Sequence, residues 1–414
     1  MGERRISIET KAGLLEGFCD TRFEGVLDAF VTNFESRGEV GANVALTLDG
    51  KPVVDLWGGR KSKEGAPWTS DTMCTIFSST KGALALAAHM LVDRGLLDLD
   101  APITDLWPEF GAGGKETALV SMALSHSAGV PHFRAKLEPG CLNDYQAMVD
   151  VVAAEEAFWS PGSRVGYQAM TMAWTVGELV HRAAGKRFGA FFRDEIAGPL
   201  GLDFWVGLPE ELEPRVARMH AARFDPNAPP TRFVAKAMGD RTSAASYFLR
   251  DTGRLLDVNS RACHAAEIGS ANGIANGRAL AGMYAALANG GSIGGKHFVG
   301  SDTLTRMGRV VSATHDDATL CIPTRFALGF MKAMDNRRLE NSPDSSVILS
   351  DPAFGHVGAG GSIGFADPAC RLSFGYTMNQ MGLGLLLNPR GQSLVDATYQ
   401  ALGYRTNAGG VWTD

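Results

Sequence analysis

The sequence predicts an α+β fold in which both ends of the chain build one antiparallel sheet and the middle is mainly helical. Two β-prone runs around an Asp-Gly turn predict a hairpin over 43–59. Sheet character returns late, where two runs around an Asp-Pro turn predict strands over 361–379. Between these regions, helical patterns alternate with loops rich in Pro, Gly and Asn. The simplest assembly pairs the early hairpin with the late strands in one sheet.

The sequence pattern predicts three helices. Residues 22–36 place apolar side chains at the i, i+3, i+4, i+7 positions of an amphipathic helix. Residues 79–94 are apolar nearly all round, so this helix should be central and covered on every side. Residues 393–403 are expected to form a closing helix beside the late strands.

We therefore predict two domains. Residues 1–95 and 321–414 would form a discontinuous α/β domain, and residues 96–320 a mainly helical domain. Within the second domain, residues 221–262 have the least regular pattern. This segment is expected to be irregular, either as a lid or pocket wall or as a plain surface loop.

The composition narrows the class of protein. The chain has 414 residues, 45% hydrophobic content and a net charge of −6, which fits a globular protein and gives no electrostatic reason to expect nucleic acid or an anionic membrane as partner. No apolar stretch is long enough to span a membrane, and the two early arginines are not followed by the apolar core of a secretion signal. We expect a cytoplasmic protein.

The cysteines and histidines give no sign of a metal site. The six cysteines lie far apart with no C-x-x-C, so they are expected to be free or buried thiols in a reducing compartment. The histidines show no ligand spacing, and His126 is expected to be a structural loop residue. We predict neither a metal nor a cofactor.

The pair Ser78 and Lys81 suggests nucleophilic catalysis. Residues three apart share a helix face, and the N–H groups of a helix N-terminus favour developing negative charge. A serine hydroxyl needs a base, and a buried lysine loses affinity for its proton and can supply that base. Ser-x-x-Lys is expected about once by chance in a chain of this size, so the pattern alone is weak. However, a lysine that opens a fully apolar helix has no solvated face to occupy.

Several stretches in order resemble one known family. The stretch "FSSTKGALALA" resembles the nucleophile motif of serine β-lactamases, penicillin-binding proteins and family VIII carboxylesterases. Five further stretches resemble other sequence blocks of the same family, in the same order along the chain. They are "RGLLDLDAPITDLWPEF", "ALSHSAGVP", "PGSRVGYQAMTMAWTVGELV", "IANGRALAGMYAALANGG" and "FGHVGAGGSIGFADP". The resemblance covers about residues 20 to 385 and implies a β-lactamase-like fold.

The resemblance implies roles for individual residues. Ser78 would be the acylated nucleophile, and Lys81 would accept or share its proton. Tyr167 would be the second base, which takes a proton from serine and later from water with the help of Lys81. This Tyr–Lys pair would replace the histidine of a Ser-His-Asp triad. The backbone N–H groups of Ser78 and Ala359 would form the oxyanion hole. His356 would lie on an edge strand at the substrate, and Gly358 would let that strand approach the substrate closely.

Two departures from the β-lactamase pattern favour esters over penicillins. His356 stands where β-lactamases of this kind have the lysine that helps to hold the substrate carboxylate, and a histidine is mostly neutral at pH 7. Ala169 stands where they have an asparagine. The resemblance thus implies hydrolysis of small-molecule carboxylic esters of short to medium acyl chain through an acyl-enzyme, with at most weak β-lactam hydrolysis.

Alternatives remain open at this point. The same motifs would serve a β-lactamase, an amidase or D-peptide hydrolase, or an acyltransferase, because they govern acylation and not the leaving group. A non-catalytic relative that binds a ligand is a further class, although intact Ser78, Lys81 and Tyr167 argue against it. A different nucleophile is a third: Gly-x-Ser-x-Gly occurs around Ser292 and Ser362, although neither has a strand before it and a helix after it.

Overall fold

The computed structural model describes residues 2–223 and 227–414, which contain both strands and helices. The strands are β1 (Glu3–Thr10), β2 (Gly13–Asp20), β3 (Gly41–Leu48), β4 (Lys51–Gly59), β5 (Cys74–Thr75), β6 (Phe204–Trp205), β7 (Ile274–Ala275), β8 (Ser292–Ile293), β9 (Lys296–His297), β10 (Ser312–Thr314), β11 (Thr324–Phe326), β12 (Phe354–Val357), β13 (Ile363–Asp367) and β14 (Leu372–Met378).

The helices carry most of the middle of the chain. They are α1 (Glu24–Ser36), α2 (Thr80–Asp93), α3 (Val120–Leu124), α4 (Tyr145–Ala154), α5 (Met172–Ala184), α6 (Phe188–Phe192), α7 (Gly198–Leu200), α8 (Arg232–Gly239), α9 (Ala244–Leu255), α10 (Arg261–Ala265), α11 (Gly277–Ala288), α12 (Ser301–Gly308) and α13 (Pro389–Ala401). Within the described residues, no helix combines the length and the apolar character that crossing a membrane requires.

Both chain ends build the main sheet, as the sequence predicts. Its seven strands among the described residues run in the order β1-β2-β4-β3-β14-β13-β12, and every neighbouring pair is antiparallel. The two ends meet where β3 pairs with β14, with Leu46 opposite Phe374. The α+β fold class is therefore confirmed, and β12 lies at one edge of this sheet.

The predicted local elements are found with small shifts of their ends. The hairpin over 43–59 is β3 and β4, the strands over 361–379 are β13 and β14, and the closing helix is α13. The hairpin of β1 and β2 was not expected. Its β2 is held very close to β4, since a Cβ placed on Gly17 would collide with the Asp55 carbonyl. This contact with a distant strand is invisible in the local sequence.

The apolar helix α2 is central, as predicted. All of its residues from Thr80 to Leu91 are buried. It packs against α5, α6 and β12, so elements from both predicted domains cover it. The division into two domains remains our proposal, and α11, which lies within 96–320, packs on β3, β13 and β14.

The segment 221–262 is more regular than expected. It contains α8 and α9, while residues 224–226 of its loop "FDPNAPP" lie outside the described residues. Thr231 and Ser243 cap the two helices, because their side chains accept hydrogen bonds from the backbone N–H groups of Val234 and Ser246. Each helix buries one apolar face on a small separate cluster that includes Phe233 and Cys321, so tertiary contacts order both helices.

Candidate active site

Ser78 lies in a fixed turn immediately before α2. Residues Phe77–Ser79 form a single 3-10 turn, and Phe77 has a φ of 47°, which is rare for an aromatic residue. The Thr80 hydroxyl donates a hydrogen bond to the Phe77 carbonyl at 2.5 Å and accepts one from the Gly273 N–H at 2.9 Å. Ser78 itself is partly exposed. The turn therefore presents the hydroxyl to solvent from a backbone that other segments hold in place.

Lys81 is buried beside that hydroxyl. Its Nζ lies 3.1 Å from Ser78 Oγ, 2.8 Å from the Ala169 carbonyl and 2.9 Å from the Ser270 carbonyl. Burial lowers the pKa of the Lys81 amine well below its ordinary value of 10.5. A neutral amine has two N–H groups and one lone pair. With the two N–H groups on the carbonyls, the lone pair is left for the Ser78 proton.

Tyr167 lies on the other side of the same hydroxyl. Burial raises the pKa of its phenol, a hydrogen bond with Ser78 lowers the pKa in part, and the Asp317 carboxylate raises it further. Lys81 Nζ lies 4.8 Å from the centre of the Tyr167 ring. The structure thus brings Ser78, Lys81 and Tyr167 together as the sequence predicts, with Tyr167 as a protonated phenol at rest.

The loop that carries Tyr167 is fixed by two buried residues. The Asp317 carboxylate accepts the Tyr167 N–H at 3.0 and 3.2 Å. His126 accepts the N–H of Gln168 on its Nδ1 at 3.2 Å and the N–H of Gly166 on its carbonyl at 3.0 Å. The His126 and Tyr167 rings lie 4.9 Å apart. These contacts agree with a structural role for His126.

His356 is buried and uncharged at the end of β12. Its Nδ1 donates to the Val357 carbonyl at 2.7 Å, and its ring centre lies 6.0 Å from that of Tyr167. Burial and the neighbouring Lys81 lower the pKa of His356 to about 3. Nothing in the described part of the chain hydrogen-bonds to its Nε2. The imidazole is therefore neutral across the working range of pH.

Gly358 allows close packing of a different kind from the one expected. A Cβ on Gly358 would collide with the Ile76 carbonyl and the Ser362 hydroxyl, so the end of β12 packs against the nucleophile turn and not only beside a substrate. Ser79 Oγ donates to the His356 carbonyl at 3.2 Å, and Ser362 Oγ donates to the Ile76 carbonyl at 2.9 Å. These two hydrogen bonds join the nucleophile turn to the end of β12 and the start of the segment that leads to β13.

Ala359 follows the paired part of β12 and is exposed. The ladder of β12 with β13 ends at the pair Val357 and Ile363, two residues before Ala359 in the chain. Its N–H therefore lies outside the sheet, next to the turn that carries Ser78. This placement fits the expected second donor of an oxyanion hole.

Sequence reasoning missed several supporting residues. Ser270 and Asp317 contact Lys81 and Tyr167 from segments far along the chain, and no local pattern marks them. The sequence offers only a weak indication that Ser79 supports the site, namely that it directly follows Ser78. Ser362 was noticed only as a candidate nucleophile, and it proves to be a buried link within the site.

Ser292 lies away from this site, in the β8–β9 hairpin. Its hydroxyl lies 3.1 Å from His297 Nδ1, and His297 Nε2 lies 3.7 Å from Asp93 Oδ2. The His297 side chain is 62% exposed, so its charge and hydrogen bonds are screened by water. The hairpin lacks the strand-to-helix turn of an α/β-hydrolase nucleophile. Ser292 is a useful control for the assignment of Ser78.

The fold and the site define a class of protein: serine hydrolases in which a lysine lies one turn after the nucleophile, on a helix beside an antiparallel sheet. Residues 24–395 match the model of the Beta-lactamase family, and the chain belongs to that family. It is a serine hydrolase of the β-lactamase superfamily.

The chain is similar to known proteins over most of its length. The chain is 35% identical over 372 residues to "Esterase/beta-lactamase LipL" of Mycobacterium tuberculosis, covering 88% of this chain and 83% of that one. It resembles the crystal structure of a family VIII carboxylesterase with a TM-score of 0.79 and 36% identity, covering 94% of this chain and 99% of that one. A penicillin-binding protein homologue from Caulobacter crescentus gives a TM-score of 0.81 and 33% identity, with the same coverage.

Proposed function

We propose that this protein is a serine carboxylesterase that cleaves small-molecule esters of short to medium acyl chain through an acyl-enzyme on Ser78. The observation that carries the proposal is the environment of Lys81. Its Nζ is buried, bound to two carbonyls and 3.1 Å from Ser78 Oγ. This arrangement favours a neutral amine that can take the serine proton, which is what a hydroxyl nucleophile requires.

The acylation step begins when Ser78 Oγ attacks the ester carbonyl carbon and the Lys81 lone pair takes the hydroxyl proton. The N–H groups of Ser78 and Ala359 stabilise the oxyanion. The carbon–oxygen bond to the leaving group then breaks, and the Tyr167 phenol gives its proton to the departing alkoxide. The Lys81 ammonium restores the phenol proton. An alcohol leaves, and the acyl group stays on Ser78.

In the deacylation step, a water molecule attacks the acyl carbon. Its proton passes through Tyr167 to neutral Lys81 and then to Ser78 Oγ as the acid leaves. Tyr167 therefore relays protons, and Lys81 takes the first proton of Ser78 by itself. We prefer the relay because burial and Asp317 raise the pKa of Tyr167 and burial lowers that of Lys81.

Two features support esters over β-lactams. His356 is neutral, with its pKa lowered to about 3, so it supplies no cation for a substrate carboxylate. Ala169 contributes its carbonyl to Lys81 and has no side-chain amide to offer a substrate. We therefore propose weak β-lactam hydrolysis at most, by a protein that works in the cytoplasm without a cofactor.

A second candidate activity is β-lactam hydrolysis as a main function. It is favoured by the name of the Mycobacterium tuberculosis relative, which pairs esterase with β-lactamase. Amide hydrolysis and acyl transfer use the same acyl-enzyme and differ in the bond cleaved or in the acceptor. Added alcohol or amine acceptors and product analysis separate these reactions.

The test compares p-nitrophenyl acetate, butyrate, octanoate and palmitate with a chromogenic cephalosporin. Ser78→Ala should abolish ester turnover, because it removes the hydroxyl that attacks the ester and carries the acyl group. Ser292→Ala is the matched control, since Ser292 also has a basic nitrogen 3.1 Å from its hydroxyl. It should keep wild-type turnover.

The outcomes distinguish an esterase from a β-lactamase and Ser78 from Ser292 as the nucleophile. Turnover of the shorter esters with little cephalosporin cleavage supports the proposal. Fast cephalosporin cleavage would make the protein a β-lactamase. Ester turnover that survives Ser78→Ala and disappears in Ser292→Ala would move the nucleophile to the β8–β9 hairpin.

A further inference from the structure

The Ala359 N–H belongs to a tight turn over residues 358–361. The Gly361 N–H donates to the Gly358 carbonyl at 3.0 Å and closes the turn. Gly360, the third residue, has a φ of 86°, the left-handed value that type II turns require there and that glycine adopts without strain. The closing bond does not use the N–H of the second residue, Ala359. The Gly358 carbonyl and the Ala359 N–H belong to one planar peptide unit, so the direction of that N–H depends on the closing bond and on what holds the turn closed.

Asn388 holds the turn from behind. It is 3% exposed, and its Nδ2 donates to the Gly360 carbonyl at 2.7 Å. The same carbonyl accepts the Gly382 N–H at 2.9 Å. On its other side, Asn388 Oδ1 caps α13 by accepting the N–H groups of Arg390 at 3.1 Å and Gly391 at 3.3 Å. One side chain thus joins the turn to the start of a helix.

The turn and the Asn388 amide are also in close contact. A Cβ placed on Gly361 or on Gly382 would collide with the Asn388 side chain. The glycines therefore leave room for this amide, and the turn has little space in which to shift. Donors that are held in place before charge develops stabilise an oxyanion best, because they need no reorganisation during the reaction.

We propose that Asn388 is a positioning residue for the oxyanion hole. It ties the Gly360 carbonyl to the start of α13 and so keeps the Ala359 N–H aimed at the reacting carbonyl oxygen. The inference rests on the proposed function, because it assigns Asn388 a part in the same ester hydrolysis.

The experiment uses Asn388→Ser and Asn388→Asp. Both variants keep an oxygen that can cap α13, and both lose the side-chain amide that donates to the Gly360 carbonyl. The matched controls are Asn276→Ser and Asn276→Asp. Asn276 is 2% exposed and caps α11 by accepting the Ala279 N–H at 2.8 Å, and its Nδ2 has no partner within the described residues.

Two readouts are measured on each variant. For the Asn388 variants we expect kcat for p-nitrophenyl butyrate to fall about tenfold to a hundredfold, with KM changed less than about twofold. The affinity for benzeneboronic acid, which forms a tetrahedral adduct with the serine, should fall by a similar factor. The Asn276 variants should keep wild-type values of both, whatever their melting temperature.

Asn388 variants that keep wild-type kcat and boronic acid affinity while melting at a lower temperature would overturn the inference, since Asn388 would then only cap α13. Failure of the proposed function has a different signature. In that case the wild-type protein shows no ester turnover, or its turnover survives Ser78→Ala, before any Asn388 variant is made.

Discussion

At the scale of residues, the chemistry of Lys81 follows from what surrounds it. The side chain is fully buried, and two backbone carbonyls accept hydrogen bonds from its N–H groups. No carboxylate is among the described residues that hydrogen-bond to its Nζ. Removing an ammonium from water without an anionic partner disfavours the charged form. The same burial acts on His126 and His356, whose pKa values are also lowered. In the proposed mechanism Lys81 is therefore the base, while both histidines stay neutral.

This reasoning predicts the pH dependence of activity. In the proposed mechanism the free amine of Lys81 is the active form, and burial lowers the pKa of this amine well below 10.5. As pH falls through the lowered pKa, Lys81 gains a proton and kcat/KM should decrease. Above that pKa the rate should stay level, so the plateau should be reached well before about pH 10. The measurement is a pH profile of kcat/KM for p-nitrophenyl acetate, corrected for spontaneous hydrolysis.

The variant His356→Gln serves as the control for this profile. Its rate will differ from wild type, but its midpoint should not move, because His356 does not change charge over this range. A rate that keeps rising up to about pH 10.5 would contradict the prediction, since Lys81 would then titrate like an exposed lysine.

At the scale of elements, the start of α2 depends on one hydroxyl. Thr80 Oγ1 bonds to the carbonyl of Phe77, whose backbone is strained, and receives the N–H of Gly273. Thr175 on α5 is buried to the same degree, yet its Oγ1 has no partner within the described residues. These two buried threonines lie on neighbouring helices, and they differ in whether the side-chain hydroxyl forms hydrogen bonds.

The two threonines allow a paired prediction. Thr80→Val should destabilise the fold by about 1–3 kcal/mol, because it leaves the buried Gly273 N–H without its partner and removes one of the bonds to the Phe77 carbonyl. It should also lower kcat, since the Ser78 turn loses its tie. Thr175→Val should be neutral or stabilising, because it removes an unpaired buried hydroxyl. Urea unfolding and ester kinetics check both variants, and equal effects of the two would contradict the assigned role of Thr80.

At the scale of the whole molecule, a buried ion pair joins the chain ends beside the main sheet. Glu39, just before β3, accepts from Arg390 of α13 at 2.8 Å, and both side chains are buried. The Tyr376 hydroxyl of β14 donates to the same carboxylate, and Arg390 donates to the Gln380 carbonyl at 2.5 Å. The first and last parts of the chain should therefore unfold together.

The ion pair gives a prediction for global stability. Glu39→Gln leaves the Arg390 charge buried without a counter-charge and should cost about 3–5 kcal/mol. The double variant Glu39→Gln with Arg390→Met should cost less, because it removes the uncompensated charge as well. Urea unfolding followed by tryptophan fluorescence measures both.

An exposed pair provides the comparison. Arg4 and Glu24 lie 2.8 Å apart on the surface, and Glu24→Gln should change stability by no more than about 1 kcal/mol. A Glu39→Gln variant as stable as the Glu24→Gln variant would show that the buried pair does not hold the chain ends together.

Much of the fold could be predicted because its signals are local. The hairpin of β3 and β4, the strands β13 and β14 and the apolar helix α2 each follow from turn residues and periodicity within a short stretch. The helices α8 and α9 were missed, since caps at Thr231 and Ser243 were hidden among loop residues. The pairing of β2 with β4 was missed because it depends on a distant partner.

The sequence by itself determined the α+β class, the joining of both chain ends in one sheet, and the pair Ser78 and Lys81, because spacing along a helix fixes which residues share a face. Only the tertiary structure decided the protonation and the support of the site. Ala169, Ser270 and Asp317 come from segments distant from Ser78 in the chain. Burial sets the lowered pKa of Lys81, and burial together with Ser78 and Asp317 sets the raised pKa of Tyr167. Both environments arise only when the whole chain has packed.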